Sequence, residues 1–187
     1  PALESYEQGN LAQALQTLET QQTDKPDKAL FLLRASLYLQ VGQVEPAIRD
    51  IDKILQQEPN NSDALALQSI IAVVKDDKDK ALELAEQAVR HNEKSGAALM
   101  SYSYALQARF DLDGALESAK MAVAFENHNG LAWARLAELW LSFGELDQAL
   151  RSAQKAAENQ QQMPRVQTIL GYAYLSQFKT DKAKSAF

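Results

Sequence analysis

The chain has 187 residues, a net charge of −6 and no cysteine. This length is typical of about one domain, and the lack of cysteine excludes disulfides, thiolate metal ligands and cysteine nucleophiles. Lysine and arginine are scattered singly among acidic residues, so no basic stripe is present to hold a nucleic acid. No apolar run approaches the roughly 18 residues of a membrane-spanning helix. We therefore expect neither a nucleic-acid partner nor a membrane span.

The chain can be divided into successive sequence units that repeat one pattern. The first unit, residues 1–27, is incomplete. Gly9 and Ala14 have the spacing of a turn and a second helix, so the first helix of this unit is predicted within residues 1–8. The linker at residues 20–28 is one residue shorter than the spacing of the later units requires. It predicts a shortened loop.

Four full units and a second partial unit follow. Their predicted ranges are 28–61, 62–95, 96–129, 130–163 and 164–187. In the first full unit we predict one helix near Lys28–Val41, a turn at Gly42 and a second helix near Val44–Gln57. Pro46 lies in the first turn of that second helix, where a missing N–H is tolerated.

The later units have turns of different composition. The charged run at residues 75–80 can supply aspartate caps for the following helix, and further turns are predicted at residues 110–114 and 143–145. Every connection is short, so the sequence predicts a single domain without an internal linker.

One alanine marks the period of the chain. Ala47, Ala81, Ala115, Ala149 and Ala183 follow one another at intervals of 34 residues. Within each full unit, the fourth residue is large and the eighth is small. The large residues are Phe31, Leu65, Leu99 and Trp133, and the small ones are Ala35, Ser69, Ser103 and Ala137. Both lie on one helix face, and the alternation lets two helices approach closely. A fixed period of this size indicates a solenoid of stacked helix pairs.

These units resemble the tetratricopeptide repeat. The fullest matches to the family pattern are Trp133-x2-Leu136-Ala137-x2-Trp140 and Ala183-x3-Phe187. Arg34 and Gln68 depart from the pattern, which has leucine at their position. The resemblance covers essentially the whole chain and implies an all-α, right-handed superhelical solenoid of antiparallel helix pairs.

We find no residues arranged for catalysis, for a cofactor or for a metal. His91 and His128 fall in the tails between units, where a lone histidine is usually solvated. Asp111-Leu112-Asp113-Gly114 begins like a calcium loop, but the glycine and the glutamate that such a loop requires are missing from their positions. The sequence predicts a protein that is not an enzyme.

The resemblance also implies a site for a partner. In this family the first helices line the concave wall, and comparable positions here give a candidate surface. Its strongest candidates are Met100, Tyr104, Gln107, Arg135, Glu138, Arg165 and Tyr172. The polar heads of several of these residues suit directional contacts with a peptide or helix. Apolar residues at other concave positions, such as Leu32 and Leu141, are predicted more often to pack against a neighbouring unit.

One specialised activity is excluded by the same positions. Chaperone-binding members of the family hold an acidic tail with lysine and asparagine at the fifth and ninth positions of successive repeats. The fifth residues here are Leu32, Ala66, Met100, Ala134 and Thr168, and the ninth are Ser36, Ile70, Tyr104, Glu138 and Tyr172. None is the residue that this clamp requires.

The first functional hypothesis is therefore a scaffold that binds a peptide or helix of a partner protein on its concave face. The alternative is a spacer or self-assembly module, because Pro1 and Phe187 interrupt repeats and the chain looks like a piece of a longer protein. Its exposed end repeats would then form homo-oligomers. A third hypothesis is the docking arm of an enzyme. Frequent glutamine and the acidic isoelectric point are more typical of a bacterial protein.

Overall fold

A computed structural model describes residues 2–20 and 27–186. These residues form twelve α-helices and no strand. In chain order the helices are α1 Ala2–Glu7, α2 Leu11–Thr20, α3 Lys28–Gln40, α4 Val44–Gln57, α5 Ser62–Val74, α6 Lys78–His91, α7 Gly96–Ala108, α8 Leu112–Phe125, α9 Gly130–Ser142, α10 Leu146–Gln160, α11 Pro164–Ser176 and α12 Thr180–Ala186. They stack as antiparallel pairs, each first helix packing on the second helix of its own pair and of the preceding pair. The predicted all-α solenoid is confirmed.

Helix bounds agree closely with the prediction for the first full unit. The helix α4 spans the predicted residues, and α3 ends at Gln40, one residue before the predicted Val41. The shortened loop predicted before residue 28 falls mostly outside the described residues, and Phe187 lies outside them as well.

The helices begin where a side chain can cap them. The caps of α3, α5, α7 and α9 are Asp27, Asn61, Ser95 and Asn129, each accepting a hydrogen bond from a backbone N–H of the first turn. Asp77 and Asp111 do the same for α6 and α8. Such caps satisfy N–H groups that have no partner inside the helix. Asp77 belongs to the charged run from which a cap was predicted.

The two helices of each pair cross at the small residues identified in the sequence. The Ser69 hydroxyl donates to the Ala81 carbonyl at 2.8 Å, and the Ser103 hydroxyl donates to the Ala115 carbonyl at the same distance. All four residues are fully buried. A larger side chain at either position would push the helix axes apart. The alanine that marks the period therefore marks the helix crossing.

Arg34 has a local reason to replace leucine. Its Nε and Nη2 donate to the Asp50 carboxylate at 2.5 and 2.8 Å, which joins α3 to α4. Asp50 is buried and also lies 3.3 Å from the Lys53 ammonium. The bond to Asp50 raises the pKa of Arg34, so the guanidinium stays charged. An ion pair takes the place of the usual apolar contact.

The turns within the helix pairs share one backbone feature. Each has a residue at positive φ, between +59° and +79°: Gly9, Gly42, Asp76, Phe110, Gly144 and Phe178. From Gly42 onward these positions follow the 34-residue interval of the alanines. We refer to the row of these six turn residues and their neighbours as the turn edge.

Candidate functional site: the inner groove

The first helices of the pairs enclose a groove. It has a volume of about 620 Å³ and receives side chains from α3, α5, α7, α9 and α11. The larger apolar side chains that line it are Leu39, Leu67, Ile70, Met100, Leu131 and Met163. We refer to this surface as the inner groove.

The N-terminal helix pair borders the inner groove. Leu11 of α2 lines it beside Met163, and Tyr6 and Leu11 pack against the apolar cluster that contains Met163. Gly9, in the turn between α1 and α2, lies against the loop before α11. A Cβ atom on Gly9 would stand only 1.9 Å from the Gln162 carbonyl oxygen. The first and last parts of the described chain therefore meet at one rim of the groove.

Arg165 is the one charged residue among those that line the groove in the described chain. Its Nη2 and Nε donate to the Glu138 carboxylate at 2.6 and 3.1 Å, and Nη2 also donates to the Tyr104 hydroxyl. The Arg165 side chain is 48% exposed. It therefore presents a positive charge to an otherwise apolar and neutral polar surface.

Arg135 was predicted to contact a partner directly, and the structure places its side chain beneath the groove surface. The residue is only 1% exposed. Its Nε donates to the Ser103 hydroxyl at 3.0 Å and its Nη2 to the Ser103 carbonyl at 3.1 Å, while Nη1 donates to Gln107 at 2.8 Å and to Glu138 at 3.3 Å. All three guanidinium nitrogens donate hydrogen bonds to groups of the protein itself, so Arg135 is a structural residue beneath the groove.

The spacing of the helices explains why an arginine fits there. The helices α5 and α7 run side by side, whereas the backbones of α7 and α9 come close only over a short stretch. Arg135 of α9 spans this wider gap to the backbone of Ser103 on α7. A long side chain with several donors can fill the space and satisfy the carbonyl and hydroxyl it meets.

Tyr104 lies between the two arginines. Its ring centroid is 3.9 Å from the Arg135 guanidinium carbon and 5.3 Å from that of Arg165, within the range of cation–π contact. Burial and the Glu138 charge raise the pKa of Tyr104 to about 12. Burial also lowers the pKa of Arg135. Two guanidinium groups thus share the single carboxylate of Glu138, and the cluster carries one net positive charge.

The remaining predicted residues divide between the groove and its surroundings. Met100 and Tyr104 line the groove with Arg165, whereas Gln107 and Glu138 reach it only through the two arginines. Tyr172 is 53% exposed on α11 and is not among the lining residues.

Several lining residues were missed by the prediction. Leu67 occupies the sixth position of its unit, which the family resemblance places on the concave wall, so the signal for it was present. Asn129 and Met163 directly precede α9 and α11 and belong to no concave position of the repeat. Leu11 comes from the N-terminal pair, whose approach to α11 has no signal in the period.

The described residues offer no metal site. Across residues 2–20 and 27–186, no three histidine, cysteine or acidic side chains are grouped so that they could hold a metal ion. His91 and His128 are exposed. Within the same part of the chain, no helix is long and apolar enough to cross a membrane.

Comparison with known proteins gives the same architecture. The family model of the tetratricopeptide repeat matches residues 5–71. The structure of TTC0263, a thermophilic TPR protein of Thermus thermophilus, covers 93% of this chain and 95% of its own with a TM-score of 0.74 at 24% identity. A tetratricopeptide repeat protein of Parabacteroides merdae covers 99% and 73% with a TM-score of 0.65 at 19% identity. The Pseudomonas aeruginosa protein pilF covers 85% and 72% with a TM-score of 0.65 at 17% identity. No curated protein matches in sequence.

The stacked antiparallel pairs define a helical solenoid protein with an inner groove. The family model of the tetratricopeptide repeat matches residues 5–71 and the same helix pairs continue to residue 186, so the described chain has the fold of tetratricopeptide-repeat proteins. Proteins of this fold generally act as scaffolds for protein–protein interaction and are typically not catalytic.

Proposed function

We propose that this protein is a non-catalytic scaffold that binds a segment of a partner protein in the inner groove. The observation that carries the proposal is the composition of the groove, which is apolar over most of its lining and holds one half-exposed arginine. Apolar side chains supply binding energy when they are removed from water. A charged group at one place fixes the direction of the bound segment.

The Arg165 site favours one kind of segment. Glu138 neutralises only part of the charge of Arg135 and Arg165, and it is bound through Nε and Nη2, on one side of the Arg165 guanidinium group. A carboxylate or a backbone carbonyl of the partner can accept a hydrogen bond from Nη1 on the other side. We propose a partner helix or extended peptide with apolar side chains toward Ile70 and Met100 and an acceptor toward Arg165.

The first experiment uses matched variants as bait in a lysate of the source organism. The groove variant combines Ile70→Asp with Arg165→Ala, and the control combines Met121→Asp with Arg151→Ala on exposed positions of α8 and α10. Both pairs change charge equally. We expect mass spectrometry to identify a protein that the native chain and the control retain and the groove variant loses. A partner that all three retain would contradict binding in the groove.

The second candidate function is self-assembly. Leu3 and Leu175 are exposed apolar side chains. Leu3 lies on α1, the first helix of the first described pair, and Leu175 lies on α11, the first helix of the last described pair. Contact between such faces of two copies would remove apolar surface from water. Analytical ultracentrifugation across a range of concentrations distinguishes the two candidates. A monomer at every concentration would count against self-assembly and leave the groove proposal intact.

A further inference from the structure

The N-terminal helix pair contacts two apolar clusters that are far apart in sequence. Tyr6 and Leu11 pack against a cluster built mainly from α2, α3 and α4, and they also pack against the cluster that contains Met163. The other members of this second cluster all lie within residues 131–174. Tyr6 and Leu11 therefore join distant parts of the described chain across the rim of the inner groove.

The pair is attached more firmly to α3 than to α11. Ala14, Leu15 and Leu18 of α2 are buried in the first cluster, and the Tyr38 hydroxyl of α3 donates to the Glu19 carboxylate at 3.0 Å. Helix packing follows the same division, because α2 packs against α1 and α3, whereas α11 packs against α9, α10 and α12. Contacts that bury little apolar surface open at a lower free energy than the core of a protein does. The contact with the α11 side is therefore the one that can open separately.

The weaker contact covers Met163. This residue directly precedes α11 and is only 1% exposed. It lines the inner groove, as Leu11 does from the opposite side of the rim. If the N-terminal pair moves away from α11, the Met163 thioether becomes accessible to solvent and the groove widens at this rim.

We propose that the N-terminal helix pair is a gate of the inner groove, which separates from α11 while it stays attached to α3. The inference rests on the proposed function, because the gate regulates the entry of a partner segment into that groove. Opening exposes apolar surface near Met163, so the open form is a minority, on the order of 0.1–10% of the molecules. The apolar side chains of an entering segment cover the same surface, which makes opening less costly when a partner binds.

Gly9 offers a way to shift the gate without changing the lining of the groove. A Cβ atom on Gly9 would stand 1.9 Å from the Gln162 carbonyl oxygen, which belongs to the backbone and cannot rotate away. Gly9→Ala is therefore expected to push the pair away from the loop before α11. Gly42→Ala is the matched control, because Gly42 has a similar φ, +79° compared with +74°, but open space around it.

The test follows the oxidation of the three methionines of the chain by dilute hydrogen peroxide, with peptide mass spectrometry as the readout. Peroxide converts an accessible methionine to its sulfoxide. Met121 is 45% exposed and serves as the reference within the same molecule. Because only the open form reacts, we expect Met163 of the native chain to react at roughly 0.1–10% of the rate of Met121. Gly9→Ala should raise the rate of Met163 about fivefold, whereas Gly42→Ala should leave it unchanged.

Three results would overturn the gate. If Met163 of the native chain reacted as fast as Met121, the pair would not close the rim. An equal increase in both glycine variants would mean that oxidation follows a general loss of stability. If Met163 reacted only in denaturant that unfolds the whole chain, as seen by circular dichroism, the pair would not open separately. The measurement contains no partner, so a failed gate leaves binding in the groove untouched, and a failed capture of a partner leaves the oxidation result readable.

Discussion

The inner groove and the turn edge are built from the same repeat but use aromatic and charged residues in opposite ways. In the groove, Tyr104 is packed between two guanidinium groups and Arg135 is buried with its donors satisfied. At the turn edge, Phe110 and Phe178 project into solvent from a strained backbone. The period therefore fixes the backbone geometry of every unit, whereas single residues decide what each surface does.

The largest expected effect on stability concerns the buried arginine beneath the inner groove. We expect Arg135→Ala to lower the free energy of unfolding by about 3 kcal/mol, because it leaves a cavity and unpaired groups around Ser103. Arg165→Ala should cost less than about 1 kcal/mol, since its ion pair with Glu138 is half-exposed. Urea denaturation followed by circular dichroism measures both. Similar losses in the two variants would mean that burial does not separate the roles of the arginines.

A smaller effect on stability is expected at Gly9, a residue of the turn edge that lies at the rim of the inner groove. Gly9→Ala places a Cβ against the Gln162 carbonyl and also strains a backbone with φ of +74°. Gly42→Ala introduces the backbone strain alone, because the space around Gly42 is open. We expect losses of about 2 and about 1 kcal/mol respectively. Thermal unfolding of the two variants checks the difference, and equal losses would contradict the close contact at Gly9.

The third prediction has the opposite sign. Phe110→Gly removes left-handed strain and only an exposed ring, so we expect the protein to gain about 0.5–1 kcal/mol of stability. The contact with Lys78 is solvent-exposed and offsets little of this gain. Chemical denaturation is the measurement, with Phe125→Ala as the control for removal of a phenyl group from a regular helix. A clear loss of stability on Phe110→Gly would show that the ring supports the fold.

The effect of Tyr104 appears only in alkali. The folded chain holds the Tyr104 proton up to a pKa of about 12, compared with 10.0 for an ordinary tyrosine. Stability is therefore unaffected by this group below the ordinary pKa and decreases as the pH rises from about 10 toward 12. At pH 11 the loss should be roughly 1 kcal/mol. Tyr104→Phe should remove this part of the alkaline loss. Denaturation curves of both proteins at pH 9 and pH 11 provide the measurement.

Much of the fold could be predicted from the sequence because repetition amplifies weak local signals. The alanine at the twentieth position recurs in register, and the structure places it at the helix crossing beside residues such as Ser69. Aspartate capping from the charged run was predicted for the same reason, since Asp77 precedes a periodic helix. These features depend only on neighbours within one repeat.

The candidate site was less predictable because its contacts join different repeats. Arg135 occupies a concave position of its unit, but the wider gap between α7 and α9 draws it inward to Ser103. No single-repeat pattern encodes that gap. The left-handed backbone of Phe110 is likewise invisible to a pattern that looks for glycine in turns. Contacts between repeats and departures from the repeat pattern therefore had to come from the structure.

The contact between Gly9 and Gln162 has a mechanical consequence. A solenoid whose repeats contact only their neighbours can extend along its axis, and its end repeats can unfold one at a time. Here the first turn lies against a loop that comes four helix pairs later. The contact between Gly9 and Gln162 limits extension of the solenoid and couples the unfolding of the regions that it joins. It thereby holds the width of the opening through which a partner segment would pass.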